Sequence, residues 1–289
     1  MATDHTCDEI LRLLPPVLRA RDFHLYLGNG RRLVDLWQLG GRAVLGHKPS
    51  LVTTELKNAA ERSLFAPLPH SAEGRFLKAL ASLFPAECIT PQDITPQDVT
   101  PFVFRIYSDK KSLSKALENA GFADVEIPDP VFPHKNDAAK IKLALWRPFL
   151  GNSNYISLIY LPVLPWALSP PALVIEKSLE EKFPPSDLVS PVILAAAARA
   201  IYDLIAAGVQ GNRPKFIKIE KALAAGTKWQ RQDIYLTYKD GARADWIGLW
   251  KRFLERGFLL PPSPMEPLIL PAMLSAGEEA KLADLLLNS

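Results

Sequence analysis

The alternation of apolar and polar positions is clearest on either side of Asn29 and Gly30. Before this pair, every second position is apolar: Phe23, Leu25 and Leu27. After it, two interleaved sets occupy opposite faces: Leu33, Asp35 and Trp37 against Val34, Leu36 and Gln38. Asn-Gly between alternating runs is typical of a β-hairpin, because a two-residue turn needs positive φ at both central residues. The pattern therefore predicts a hairpin with its turn at Asn29 and Gly30.

Apolar residues with a helical period predict several amphipathic helices. A stripe that starts at Ile10 predicts a helix over residues 8–20, disturbed by Pro15 and Pro16. Ser50 is a suitable N-cap for a helix that extends to residue 64, with Leu51, Leu56 and Ala59 directed inwards. Further helices are predicted over 72–84, 110–120, part of 186–207, 214–225, 246–255 and 276–287.

Short apolar runs between these helices predict strands over 102–107, 123–127, 140–146, 155–160, 173–176, 233–238, 258–260 and 268–270. Strands alternate with helices in the middle of the chain, and mixed units stand at both ends. We expect an α/β fold, with an α/β domain over 71–211 and a small α+β domain built from 1–70 and 212–289. A tandem five-residue repeat with proline in each copy, within residues 90–101, predicts a surface connector.

Composition and charge narrow the function classes. The chain has 289 residues, of which 48% are hydrophobic and 22% charged, as in an ordinary globular protein. The net charge of +3 is dispersed, which argues against nucleic-acid binding. Cys7 and Cys88 have neither metal-ligand spacing nor a disulfide framework. No apolar run reaches the ~18 residues of a membrane span, and no signal peptide is evident. We expect a cytoplasmic protein without a membrane partner.

Two stretches of the chain resemble the class III, fold type I aminotransferases. Residues 23–84 carry a glycine turn, Asp35 after Val34, and the sequence Leu-Gly-His-Lys-Pro that ends at Pro49. Residues 253–267 resemble the closing helix and strand of that class, nearest to the glutamate-1-semialdehyde aminomutase branch. The resemblance implies a homodimer and a fold type I αβα domain. That domain is trimmed here, because residues 84–187 have room for about half of the family's sheet.

The family's cofactor, pyridoxal phosphate (PLP), needs a small-residue turn whose backbone N–H groups hold the phosphate. The matching position follows the strand predicted over 102–107 and contains Ser108, Asp109, Lys110 and Lys111. Asp109 stands where the family has glycine, and a carboxylate there repels phosphate. Ser108, Lys110 and Lys111 are vestigial candidates for the phosphate turn. The alternative, which we favour, is that Ser108 and Asp109 only cap the helix that follows.

The other two PLP contacts have no candidate in the sequence. A lysine is needed for the Schiff base, and a carboxylate is needed beside the pyridine nitrogen. The expected lysine position falls near residues 160–166, which contain no lysine, and Lys177 and Lys182 belong to a charged segment. The five histidines are scattered, so no metal site is predicted, and a structural role is favoured for His47.

The sequence therefore predicts no catalytic residue and no bound cofactor. We expect a degenerate aminotransferase-like protein that acts as a non-catalytic homodimer, or as a partner or regulatory subunit of another protein. Two alternatives stay open. In the first alternative, the chain is an enzyme or a binding protein that holds PLP or another anionic metabolite near Ser108, Lys110 and Lys111. In the second, it is half of a split aminotransferase.

Overall fold

The structure is a computed structural model that describes residues 7–85, 102–123, 125, 127–132, 141–150, 157–209, 215–238 and 245–289. Cys88, His134 and the tandem repeat of residues 90–101 lie outside the described residues. The contacts divide the chain into two units. The first contains the described residues of 1–48 and 211–289, and the second those of 49–210.

The first unit contains a four-stranded sheet in the order β1, β2, β3, β10. Its strands are β1 (Val17–Arg21), β2 (His24–Leu27), β3 (Arg32–Asp35) and β10 (Phe258–Leu259). The first three strands pair antiparallel, whereas β10 pairs parallel to β3. The predicted helix over 8–20 is wrong beyond its first turn. Helix α1 spans only Cys7–Leu11, because the prolines at 15 and 16 stop a helix and the next residues pair with β2.

The predicted hairpin is confirmed, but the geometry of its turn differs from the prediction. Leu25 pairs with Leu33 across the hairpin. Of the two turn residues, only Gly30 has positive φ, at 79°. The Gly30 N–H donates to Leu27 O, and the Leu27 N–H donates to Arg31 O. These bonds define a three-residue hairpin loop, which is longer than the predicted two-residue turn. In such a loop a type I turn is followed by one residue with positive φ, so only one glycine is needed.

Strand β3 is buried on both faces, although its alternation suggested one buried face. Leu33, Val34, Asp35 and Leu36 are all less than 5% exposed. The reason is its central position, between β2 and β10.

The rest of the first unit comes from the C-terminal part of the chain. A second sheet has the order β11, β9, β8. Its strands and the accompanying helices are α6 (Ile217–Ala224), β8 (Trp229–Gln232), β9 (Tyr235–Tyr238), α7 (Trp246–Glu255), β11 (Leu268–Ile269) and α8 (Ala276–Leu287). The predicted capping box of α8 is present, with Ser275 and Glu278 bonded reciprocally. Strand β8 was not predicted, since its four residues contain only one apolar side chain.

The second unit is built on a sheet in the order β4, β7, β6, β5. Its elements are α2 (Ser50–Glu61), α3 (Ser71–Leu83), β4 (Phe102–Ile106), α4 (Lys110–Asn119), β5 (Ile141–Trp146), β6 (Ser157–Pro162), β7 (Ala172–Glu176) and α5 (Pro191–Val209). The predicted strand over 123–127 lies partly outside the described residues, and its described members form no strand.

Helix α2 differs from its prediction in three respects. Pro49, and not Ser50, is its N-cap residue. Leu51 is 51% exposed, and Val52 is the buried side chain. Val52 packs with Ala196 and Ala200 of α5, which places α2 in the second unit. The unit boundary therefore falls at residue 48, earlier than the predicted residue 70.

Helix α5 is the core helix of the second unit. Its alanines pack against Phe76 and Leu80 of α3 and against Ala172 at the start of β7. Residues 191–208 are long and apolar enough to cross a membrane by length and composition alone. The packing of this helix against α3 and the sheet instead accounts for its apolar character.

Glu278 at the start of α8 joins the two chain segments of the first unit. It accepts hydrogen bonds from His24 Nε2 and Arg32 Nη2, each at 2.9 Å. Burial raises the pKa of Glu278, but the bonds from Ser275 and His24 outweigh it and lower that pKa to about 2. The folded state is therefore more stable with Glu278 ionised than with Glu278 protonated.

We expect Glu278→Gln to lower the free energy of unfolding by about 1–2 kcal/mol at neutral pH. Because the folded pKa is depressed, this contribution is complete above the ordinary pKa near 4.5 and disappears as the pH falls towards about 2. Urea denaturation at several pH values measures it. Glu255→Gln, at an exposed position of the same unit, is the control. A difference between wild type and Glu278→Gln that stays constant down to pH 2 would contradict the argument.

Candidate functional site

Three strands of the sheet in the second unit have their carboxyl ends on the same side of the sheet. Strand β5 is parallel to β6, and β7 runs antiparallel to both β6 and β4. Strands β4, β5 and β6 therefore run in the same direction, and their carboxyl ends lie at the same edge. In α/β sheets, ligands bind at this edge, so the residues that follow these strands define the candidate site.

The turn between β4 and α4 is filled by two carboxylates of the chain itself. Asp109 is the N-cap of α4, and its Oδ1 accepts from the Ser112 N–H at 2.8 Å. Asp187 Oδ2 accepts from the Ser108 N–H at 2.8 Å and from the Ser108 Oγ–H at 2.9 Å. Asp109 therefore acts as the predicted cap, whereas Ser108 is bonded to a distant acid. Three donors at the turn, the N–H and Oγ–H of Ser108 and the N–H of Ser112, therefore already have acceptors.

Lys110 and Lys111, the other two residues of the predicted turn, form the start of α4. Both are exposed. They stand at the end of the helix where its own dipole is positive, so an anion would be attracted there and a lysine gains nothing. The structure brings Ser108, Lys110 and Lys111 together only as neighbours in sequence, beside two acids.

The end of β5 carries a buried cation that the sequence analysis missed. Arg147 is 4% exposed, and its Nε donates to both carboxylate oxygens of Asp129, at 2.8 and 2.9 Å. A carboxylate at the end of a central strand was expected for a pyridine nitrogen. The cation here has the opposite charge. A signal existed in the sequence, since an arginine directly after an apolar strand is unusual in a core.

Tyr107 directly follows β4 and precedes the turn before α4, and it is buried. Its hydroxyl has no hydrogen-bond partner among the described residues. Burial raises the pKa of Tyr107 to about 12; Arg105 opposes this rise, and Asp187 adds to it. The phenol is therefore neutral at physiological pH.

The lysine required by PLP is not found in the core of the described chain. No lysine is among the buried polar side chains of the described residues. These are Asp35, Gln38, Arg147, Ser157, Ser169, Thr227 and Thr237. Lys177 and Lys182 are exposed at the two ends of the short 3₁₀ segment Lys177–Lys182, as the charged sequence predicted. At this edge Ser108 is bonded to Asp187, and Arg147 is paired with Asp129. Neither pair supplies the Schiff-base lysine that PLP needs.

A second polar cluster lies in the first unit, in the stretch that carries the family resemblance. Asp35 is 1% exposed, and its Oδ1 accepts from the N–H groups of Trp37 and Gln38 at 2.8 and 2.9 Å. Its Oδ2 accepts from His47 Nε2 at 2.8 Å. His47 therefore has the structural role predicted for it. Among the described residues, no group of three His, Cys, Asp or Glu side chains is placed to bind a metal ion.

Comparison with solved structures identifies the fold. The fold matches an ornithine δ-aminotransferase of Plasmodium falciparum with a TM-score of 0.63 and 14% identity, over 94% of this chain and 91% of that chain. An acetylornithine aminotransferase of Elizabethkingia anophelis gives 0.61 and 12%, over 98% of both chains. The chain has the aminotransferase fold. A glutamate-1-semialdehyde aminomutase from Pseudomonas aeruginosa PAO1 shares this fold, with a TM-score of 0.60, 14% identity, and coverage of 94% and 86%.

Sequence comparison adds two uncharacterized relatives of this chain. An uncharacterized protein of Borreliella burgdorferi is 24% identical over 92% of this chain and 87% of its own length. An uncharacterized protein of Treponema pallidum is 27% identical over 69% of this chain, and the match spans 56% of that protein. No protein-family model matches the chain.

Proposed function

We propose that this chain is a degenerate aminotransferase-like protein that does not carry out PLP catalysis. It acts as a non-catalytic homodimer, or as a partner or regulatory subunit of another protein, in the cytoplasm. Its cofactor domain is shortened, and its ancestry lies nearest the glutamate-1-semialdehyde aminomutase branch. The observation that carries the proposal is the turn before α4, where Asp109 and Asp187 accept hydrogen bonds from Ser108 and Ser112 and place two negative charges at the phosphate position of the family.

Electrostatics decides against a phosphate in this turn. A charge on the positive end of a helix gains about 0.3–1 kcal/mol. Two unit charges of the same sign at 4 Å repel by about 4 kcal/mol near a protein surface. With Asp109 and Asp187 both at the turn, the repulsion exceeds what the helix end provides. Lys110, Lys111 and Asp109 are all exposed, so solvent weakens their charges alike, whereas Asp187 is partly buried and is screened less.

Exposed apolar side chains support the assignment to a dimer or a complex. Phe65 and Leu68, in the loop between α2 and α3, are each 60% exposed. Large apolar side chains next to each other on a surface are typical of an interface with another protein chain. A second copy of this chain accounts for them most simply, because the resembling family consists of dimers.

The proposal is tested by adding PLP to the purified full-length protein and recording its absorption spectrum. We expect the spectrum of free PLP, no lysine labelled after borohydride treatment, and a dimer by analytical ultracentrifugation. A protein-bound absorption band, with one lysine fixed by borohydride, would favour the alternative of a PLP-binding transferase. Recovery of such a band only after co-purification with a second polypeptide would favour a split enzyme. The double variant Asp109→Gly with Asp187→Ala is the matched comparison, since it frees the phosphate donors and leaves the rest of the chain unchanged.

A further inference from the structure

A cavity in the second unit lies away from the turn before α4. It has a volume of about 310 Å³, which is the lower end of the range for small-molecule sites. Three helices form its walls: the second half of α2, the start of α3 and the start of α5. The loop between α2 and α3 contributes Leu64, whose carbonyl accepts from Ser190 Oγ at 3.4 Å.

The lining carries more positive than negative charge. Arg62 and Arg75 are both cationic, and Glu55 is its one carboxylate among the described lining residues. Arg75 Nη1 donates to Glu55 Oε1 at 2.9 Å. This bond neutralises Arg75 in part, but a guanidinium has five N–H donors, so it can bind a second acceptor. Arg62 has no ion pair with any described residue, so its charge is available to a ligand.

Histidine and amide groups add neutral donors to the lining. His70 Nδ1 accepts from the Ala72 N–H at 3.0 Å. A ring nitrogen that accepts carries no proton, so neutral His70 carries its proton on Nε2, which is a donor. Asn58 contributes a side-chain amide to the same lining. Arginine, histidine and amide donors together match the oxygens of a carboxylate.

Besides Leu64 and Ser71, the remaining lining residues are apolar and small: Ala59, Ala72, Pro191 and Ala195. Small side chains leave room for hydrocarbon and give no hydrogen bonds to a fully hydrated inorganic ion. We propose that this cavity binds a small organic carboxylate. Its carboxylate group lies beside Arg62 and Arg75, and the hydrocarbon lies against the alanines. This assignment does not depend on the proposed function, because the cavity shares no residue with the turn before α4.

The test is calorimetric titration of the full chain with succinate and with inorganic phosphate, at constant ionic strength. We expect saturable succinate binding that is weaker by about tenfold or more in Arg62→Gln, the change for one charge-assisted hydrogen bond. Glu55→Gln should have the opposite effect and tighten binding by about two- to fivefold, because it removes the competing carboxylate. Lys57→Gln is the matched control, since Lys57 lies on the same helix, is exposed and does not line the cavity.

Three outcomes would overturn the assignment. The first is the absence of saturable succinate binding to a chain whose circular dichroism shows it to be folded. The second is an equal loss in Arg62→Gln and Lys57→Gln, which indicates a general charge effect. The third is phosphate binding as tight as succinate binding, which removes the role of the apolar lining. None of these readouts involves PLP, so failure here and failure of the proposed function are distinguishable.

Discussion

Replacing Asp35 by alanine is expected to lower the free energy of unfolding by about 3–5 kcal/mol, the cost of leaving buried polar groups without their charged partner. Three donors lose their acceptor at once: the N–H groups of Trp37 and Gln38 and the Nε2–H of His47. The site is 1% exposed, so water cannot replace the carboxylate without opening the fold.

The backbone next to Asp35 makes the loss larger. Gln38 and Leu39 have φ of 47° and 52°, and Gly40 and Gly41 continue the positive-φ run. Each non-glycine residue in this region costs about 1–2 kcal/mol. The Asp35 carboxylate holds the N–H groups at the start of the run and thereby supports the strained backbone. Without it, the segment is free to relax and the buried face of the unit is disturbed.

Urea denaturation followed by tryptophan fluorescence measures the effect. The control is Asp35→Asn, which retains one oxygen for the two backbone N–H groups and replaces the charged acceptor towards His47 with an uncharged NH₂ group. Its expected cost is about half as large. If alanine and asparagine destabilise equally, the charge towards His47 is the main contribution and the support of the turn is minor. A loss below about 1 kcal/mol for alanine would contradict the argument altogether.

Replacing Asp129 by alanine is the second large effect, with an expected loss of about 3–5 kcal/mol in the free energy of unfolding. Arg147 stays buried at 4% exposure, and its Nε loses both oxygens of the carboxylate. An arginine cannot escape by losing its proton, because a guanidinium stays protonated in proteins. The uncompensated buried charge therefore lowers the free energy of unfolding.

The double variant Asp129→Ala with Arg147→Met separates the charge from the packing. A methionine fills most of the volume of the arginine without a charge, so the double variant should recover most of the stability. The exposed pair Glu55 and Arg75 provides a matched comparison in the same unit, since Arg75 is 54% exposed. Glu55→Ala should change the free energy of unfolding by less than about 1 kcal/mol. Equal losses at Asp129 and Glu55 would refute the role of burial.

Local signals in the sequence predicted the parts of the fold that depend on neighbouring residues. The capping box at Ser275, the bounds of α7 and the hairpin around Gly30 all follow from residues a few positions apart. Strand β1 was missed, because the helical stripe near Ile10 continues past the prolines. In that region the pairing with β2 determines the structure. Pairing partners across a sheet have no local sequence signature.

The position of the candidate site was predictable from the sequence, but the hydrogen bonds and ion pairs that its residues form were not. The turn before α4 and the cap by Asp109 followed from the residues themselves. The bond from Ser108 to Asp187 joins residues 79 positions apart, and the pair of Asp129 and Arg147 joins residues 18 apart. Such contacts arise from the topology of the sheet. For this reason the sequence predicted the cap by Asp109, whereas the bond from Ser108 to Asp187 became visible only in the structure.

The parallel pairing of β10 with β3 sets the order in which the protein is able to fold during synthesis. Val34 pairs with Phe258. The sheet that contains the hairpin is therefore complete only after more than two hundred further residues have been synthesised. The second unit, by contrast, contains its own sheet and helices within residues 49–210. As the chain leaves the ribosome, the second unit completes first. Until β10 arrives, the outer edge of β3 is open to other strands, so chaperones have most to protect in the earliest part of the chain.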